Sequence, residues 1–148
     1  MTMLNIEIGH PTESALALDW MWFHTLPRDA WAVGGEFDDT HVKGRTMCFA
    51  EIIAPEAFMN TELKLKAIAD VTNDLKEELA LEQGDDGSGI WVILTEVPRG
   101  QWGAAGRTLP LFEFIDVMGG EVSEPRRAEM KAHFDGYDKM KSTFKIPS

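Results

Sequence analysis

Two arginines stand in matching places. Arg28 follows Pro27, Arg99 follows Pro98, and each is followed three residues later by a tryptophan, Trp31 and Trp102. A guanidinium offers a planar fork that grips carboxylates bidentately, so the pair can act as anion holders. The alternative is a corner arginine that caps carbonyls or pairs with surface acids. His24 lies four residues before Arg28, where the second pattern has Thr95. An imidazole titrates near neutrality and suits general-base work, although a lone histidine at a strand end also serves as a structural hydrogen-bonding residue. Glu96 and Glu113 can take a proton or polarise a water, but in a chain of net charge −11 most carboxylates are simply solvated. The four histidines show no metal-ligand spacing, so no metal is expected, and the reading calls for no cofactor. Gly84 to Gly89 lacks the Lys-Ser/Thr end of a phosphate loop and precedes a strand rather than a helix.

These residues belong to an internal duplication. Trp20 pairs with Trp91, Pro27 with Pro98, Arg28 with Arg99, Trp31 with Trp102 and Gly35 with Gly106, all at a constant offset of 71 residues (98 − 27). Repeats of this kind set the reading of the whole chain. Each copy reads as a buried apolar strand, a Pro-Arg corner, a tryptophan and a glycine turn. The tryptophans fit core and interface positions better than a ligand cage, given their places on strands.

The chain has 148 residues, enough for one domain with its own core. Its apolar content is 44% and its charged content 26%, both ordinary for a globular protein. The acidic balance argues against nucleic acid or an anionic membrane as partner, because there is no basic surplus to neutralise phosphates. One cysteine, Cys48, cannot form an internal disulfide and reads as a small buried hydrophobe. No leader pattern and no apolar run of about 20 residues is evident. The expected location is a reducing cytoplasm.

The elements that must position the arginines follow from periodicity. Leu4 to Ile8, Leu16 to Leu26, Met47 to Ile53, the stretch from Ile90, and Leu111 to Met118 read as strands. Thr61 to Leu81 places Ile68, Val71, Leu75 and Leu79 on one helical face, with Asn60 or Thr61 as cap. A second helix starts at Glu124–Pro125, with Met130, Phe134 and Tyr137 on its buried face. The middle of the chain is therefore a βαβ unit with parallel strands. The first repeat copy lacks a preceding strand and helix, whereas a strand and helix occur at the C-terminal end. That order fits a circularly permuted duplication in one domain, residues 1–148.

The segment from Thr61 to Gly106, with its helix and the string Ile-Trp-Val-Ile-Leu-Thr-Glu-Val-Pro-Arg-Gly-Gln-Trp-Gly, resembles the tautomerase superfamily. Trp20 to Gly35 is similar to the first unit of its fused, two-unit members. The resemblance implies an α+β fold with duplicated βαβ units, a four-stranded mixed sheet and two helices on one face. It implies a trimer, with Trp20, Met21 and Trp22 as candidates to cover the open sheet face. It also implies a tautomerase-like isomerase acting on a small anionic keto or enol acid. Arg28, Arg99, Arg45 and Arg107 would hold the carboxylate, the last two because they precede Met47 and Pro110 at strand starts, where family sites lie. Trp31 and Trp102 would keep the aromatic after the corner. The family's base is an N-terminal proline amine. Here the matching residue is Pro110, whose nitrogen lies in a peptide bond, so His24 or Glu96 would move the proton unless the chain is cut between Leu109 and Pro110. The alternative is a non-catalytic oligomeric scaffold or small-molecule binder that kept the fold and lost the amine.

Overall fold

A computed structural model describes residues 24–81, 86–118 and 122–146. The expected strands at Leu4–Ile8 and in most of Leu16–Leu26, and the covering residues Trp20, Met21 and Trp22, lie outside them. The described residues form an α+β fold. In chain order it contains a 3-10 turn at Arg28–Ala30, strand β1 (Cys48–Pro55), helix α1 (Thr61–Glu78) and strand β2 (Ile90–Val97). The short strands β3 (Gly103–Ala104) and β4 (Arg107–Thr108) follow, then helices α2 (Leu111–Val117) and α3 (Glu124–Phe144). They fall into two compact units. The first holds residues 24–53, 61–81 and 86–95; the second holds 54–60, 96–118 and 122–146.

Strand β1 pairs with β2. The Cys48 N–H donates to the Gly89 carbonyl at 3.0 Å, and the Glu56 N–H to the Val97 carbonyl at 2.9 Å. Both pairs are 41 residues apart (89 − 48 and 97 − 56), so the strands run parallel with α1 as their crossover. The expected central βαβ unit is present. In the first unit, Ala67 of α1, Ile90 of β2 and Val42 are buried. Helix α1 ends in a Schellman pattern: the Leu81 N–H reaches the Lys76 carbonyl, the Ala80 N–H reaches that of Glu77, and Ala80 takes a left-handed φ of 45°. Leu79, expected on the buried face, is exposed in that last turn.

The opposite face of the β1–β2 ladder is apolar yet open. Phe49 and Ile53 on β1, and Trp91 and Ile93 on β2, alternate with half-buried neighbours and are exposed, Trp91 by 65%. Strand periodicity places all four on one side.

The duplication recurs as local structure. The Ala30 N–H donates to the Pro27 carbonyl at 2.9 Å, and the Gln101 N–H to that of Pro98 at 3.0 Å. Val33 bridges Glu36 antiparallel, and Ala104 pairs with Arg107 antiparallel, again 71 residues on (104 − 33). The central residues of both two-residue turns have positive φ: Gly34 and Gly35 at 63° and 89°, Ala105 and Gly106 at 50° and 77°. Type I′ hairpins need this backbone, and glycine adopts it most cheaply.

Leu111 to Met118 is not a strand: Leu111–Val117 is helix α2. Its apolar residues fit either period, and Pro110 decides the outcome. Pro110 sits extended at the N-cap (φ −62°, ψ 150°), and its carbonyl accepts the Phe114 N–H at 2.8 Å. Leu111, Phe114 and Ile115, at i, i+3 and i+4, then bury one helical face. The C-terminal segment thus supplies two helices, not the strand and helix that a permuted βαβ copy needs. On α3, Met130 and Phe134 are buried as expected, but Tyr137 is 40% exposed and faces Lys141, whose Nζ lies 5.0 Å from its ring.

The second unit is built on aromatic contacts. Phe114 meets Phe58 edge-on at 5.8 Å and Trp102 at 5.4 Å. Arg126 of α3 straps the 54–60 turn, its Nη2 donating to the carbonyls of Ala57 and Phe58 at 2.8 and 3.2 Å.

Candidate functional site

A hollow of about 220 Å3 opens in the second unit. The end of β1 gives Pro55 and Glu56, the repeat corner gives Val97 to Gly100 and Trp102, the entry to α2 gives Leu109 to Phe112, and α3 gives Lys131, Phe134 and Asp135. Three sequence-expected residues, Arg99, Trp102 and Pro110, therefore line one cavity. Trp102 is placed by the hairpin, since its carbonyl accepts the Leu109 N–H at 2.8 Å, and by its edge contact with Phe114. Pro110 contributes a ring wall only; its nitrogen is an acylated amide.

Arg99 is held from three sides. Its backbone N–H donates to Glu56 Oε2 at 3.0 Å. Its guanidinium lies 5.1 Å from the Phe134 ring centroid. Its fork engages both oxygens of Asp138, Nη1 to Oδ2 at 3.1 Å and Nη2 to Oδ1. The Asp138 hydrogen bonds push the Arg99 guanidinium pKa up and hold the Asp138 carboxyl below its usual range.

Sequence reasoning did not find Glu56 or His133. Glu56 Oε1 lies 2.9 Å from His133 Nε2, and its side chain is 22% exposed. Burial acts to raise the Glu56 carboxyl pKa. The His133 hydrogen bond, the Arg99 N–H and the positive charges of both groups outweigh burial and hold it below the ordinary value. The α3 residues carried one legible signal: Lys131, Phe134, Asp135 and Asp138 recur at i, i+3, i+4 and i+7, one helical face.

The remaining candidates are placed elsewhere. Glu96 Oε1 accepts the Ala57 N–H at 3.1 Å and does not line the hollow. Arg107, on the hairpin, forms a 2.5 Å ion pair with Glu113 of α2, which lowers the Glu113 carboxyl pKa. In the first unit, Arg28 turns onto its own loop, Nη1 donating to the Trp31 carbonyl at 2.6 Å and Nη2 to that of Asp38. Arg45 donates to the Val42 and His41 carbonyls and to Ser88 Oγ, each at 2.8 Å. Trp31 is half-buried, and His24 is exposed in irregular chain. Thr95, the counterpart of His24, donates to Glu51 Oε1 at 2.8 Å. No group of metal-ligating side chains occurs among the described residues. No helix among them is long and apolar enough to cross a membrane.

Comparison with protein-family models, with curated proteins and with solved structures found no match.

Proposed function

We propose that the chain is a tautomerase-like isomerase that moves a proton on a small anionic keto or enol acid seated in this hollow. One observation carries the reading: Arg99, Trp102 and Pro110, which the family resemblance singles out, converge on one cavity. Its volume, about 220 Å3, lies below the range of drug-sized sites and suits a ligand of a few carbons. Arg99 orients the carboxylate, and Trp102 packs against the carbon skeleton. An amide nitrogen has no usable basicity, so Pro110 is a wall and not the base. Two carboxylates line the hollow; Asp135 is paired with Lys131, and Glu56, backed by His133, carries the proton. The reading brings with it the family's assembly as a trimer, built here on a chain with one βαβ unit, β1–α1–β2, among its described residues. The exposed face of Phe49, Ile53, Trp91 and Ile93 supports self-association, since apolar patches of this kind mark interfaces.

A second reading, a non-catalytic small-molecule binder, is favoured by the acylated Pro110 nitrogen. Exchange of the C3 hydrogens of 2-oxo acids in D2O, followed by NMR, separates the two. The measurement uses wild type, Arg99→Ala and Glu56→Gln, after intact mass has verified the uncut 16.6 kDa chain. Exchange above buffer that either substitution reduces at least about tenfold, the loss of one positioned proton-transfer or orienting group, supports the isomerase. Binding without exchange selects the binder, and neither binding nor exchange leaves only an oligomeric scaffold.

A further inference from the structure

The charges on the wall of the hollow already have partners. Lys131 Nζ lies 2.5 Å from Asp135 Oδ2, one turn along α3. Glu56 holds His133 and the Arg99 N–H. Arg99 holds Asp138 through two parallel N–H···O bonds. Arg99, Lys131, Glu56 and Asp135 line the hollow, whereas Asp138 does not. An anionic ligand that takes the Nη1/Nη2 fork of Arg99 must therefore displace Asp138.

Arg99 is the cation suited to such an exchange. Glu56 holds its backbone N–H and the Phe134 ring lies 5.1 Å from its guanidinium, so Arg99 keeps two supports when Asp138 leaves. The fork-to-fork pairing with Asp138 is the geometry that a ligand carboxylate would adopt. The pair is open to solvent, with side chains 42% and 55% exposed, and such ion pairs contribute little net stability. Lys131, a single point charge on an exposed side chain, offers no comparable fork.

We propose that Asp138 is a resident stand-in for the ligand carboxylate. Resting on the small-acid reading above, binding is a carboxylate exchange in which the ligand takes the Arg99 fork and Asp138 is released to water. Asp138 then sets specificity as well as affinity. A bare anion gains nothing over the tethered aspartate. A monocarboxylic acid with a short apolar or planar chain adds contact with Trp102, Leu109, Phe112 and Phe134, and this surplus drives the exchange. The site therefore selects small carboxylic acids with an apolar chain over acetate or inorganic anions.

The test is NMR titration of the Trp102 indole and Arg99 side-chain signals with acetate, butanoate and the neutral isostere butanamide. Wild type, Asp138→Asn, Asp138→Ser, Arg99→Ala and the Arg99→Ala/Asp138→Asn double variant are compared through the millimolar range. The paired Asp138 variants guard against one that fails to fold. In wild type, butanoate should bind and acetate should bind far more weakly. Removing the Asp138 carboxylate should tighten both about three- to fivefold, the size of a surface ion pair, and leave butanamide unchanged. That gain should vanish without Arg99. Unchanged or weaker butanoate binding in the Asp138 variants, or a gain that survives loss of Arg99, overturns the exchange. Carboxylate exchange without C3 deuteration would refute the isomerase and leave this inference standing. Deuteration with no Asp138 effect would do the reverse.

Discussion

Replacing Glu56 tests the corner that holds the hollow together. Its two oxygens join the end of β1 to His133 on α3 and to the Arg99 N–H at the corner, 77 and 43 residues away in sequence. A hydrogen bond to a charged group contributes about 1.5–3 kcal/mol. His133 is 48% exposed and Arg99 lies at the surface, so water recovers part of each bond. About 1 kcal/mol per bond is the discounted figure. Glu56→Ala should then cost about 2 kcal/mol, and Glu56→Gln, which keeps one acceptor, about 1 kcal/mol. For a chain of this length these losses lower the melting temperature by roughly 6 °C and 3 °C. The pH dependence gives the sharper check. A carboxyl with a lowered native pKa contributes fully above its unfolded value, about 4.3, and the contribution is lost as pH falls through the native value. Thermal melts followed by circular dichroism from pH 7 downward should show the gap between wild type and Glu56→Ala narrow below about pH 4. A gap of the same size at both ends of the range would mean that the side chain acts by packing, and the charge argument would fail.

Two further predictions concern the repeat and the open sheet face. Gly106 (φ 77°) and Gly35 (φ 89°) have nothing near the position of an added Cβ, so Gly106→Ala and Gly35→Ala should each cost about 1–2 kcal/mol from backbone strain alone. Ala105→Gly should be neutral or stabilising, since Ala105 already sits at φ 50°; urea melts in which Gly106→Ala costs nothing would refute the hairpin geometry. Trp91→Lys should leave the circular dichroism spectrum intact and convert the assembly to monomer in size-exclusion chromatography with light scattering. A wild-type chain that is already monomeric would remove the self-association reading.

The central βαβ unit was legible because its signals agree. An apolar run from Met47, helical spacing from Thr61 and a second apolar run from Ile90 are each bounded by turn residues, and the structure places β1, α1 and β2 there. The hairpins were legible as a repeat, since glycine at a fixed offset marks backbone that other residues avoid. Leu-Phe-Glu-Phe-Ile-Asp-Val at 111–117 was not legible, because its apolar residues satisfy both periods. The deciding information lay in Pro110, read as the start of a strand although its fixed φ equally opens a helix. Tyr137 was misplaced for a related reason: helical spacing marks a face but not where its buried stripe ends.

The site divides along a similar line. Arg99, Trp102 and Pro110 were visible because corners and prolines are local features. Glu56, His133 and Asp138 were not, because each acquires its role from a partner 39 to 77 residues away. In a chain with 25 acidic residues nothing local distinguishes those two carboxylates. The two copies of the corner make the point within one molecule. Arg28 and Arg99 follow the same proline turn and precede the same tryptophan, yet Arg28 donates to carbonyls of its own loop. The Arg99 fork instead meets both oxygens of a carboxylate from α3, beside the hollow that Arg99 lines. The repeat encodes where the guanidinium begins, and the helix packed beside it decides whether that guanidinium braces a loop or stands ready to exchange one carboxylate for another.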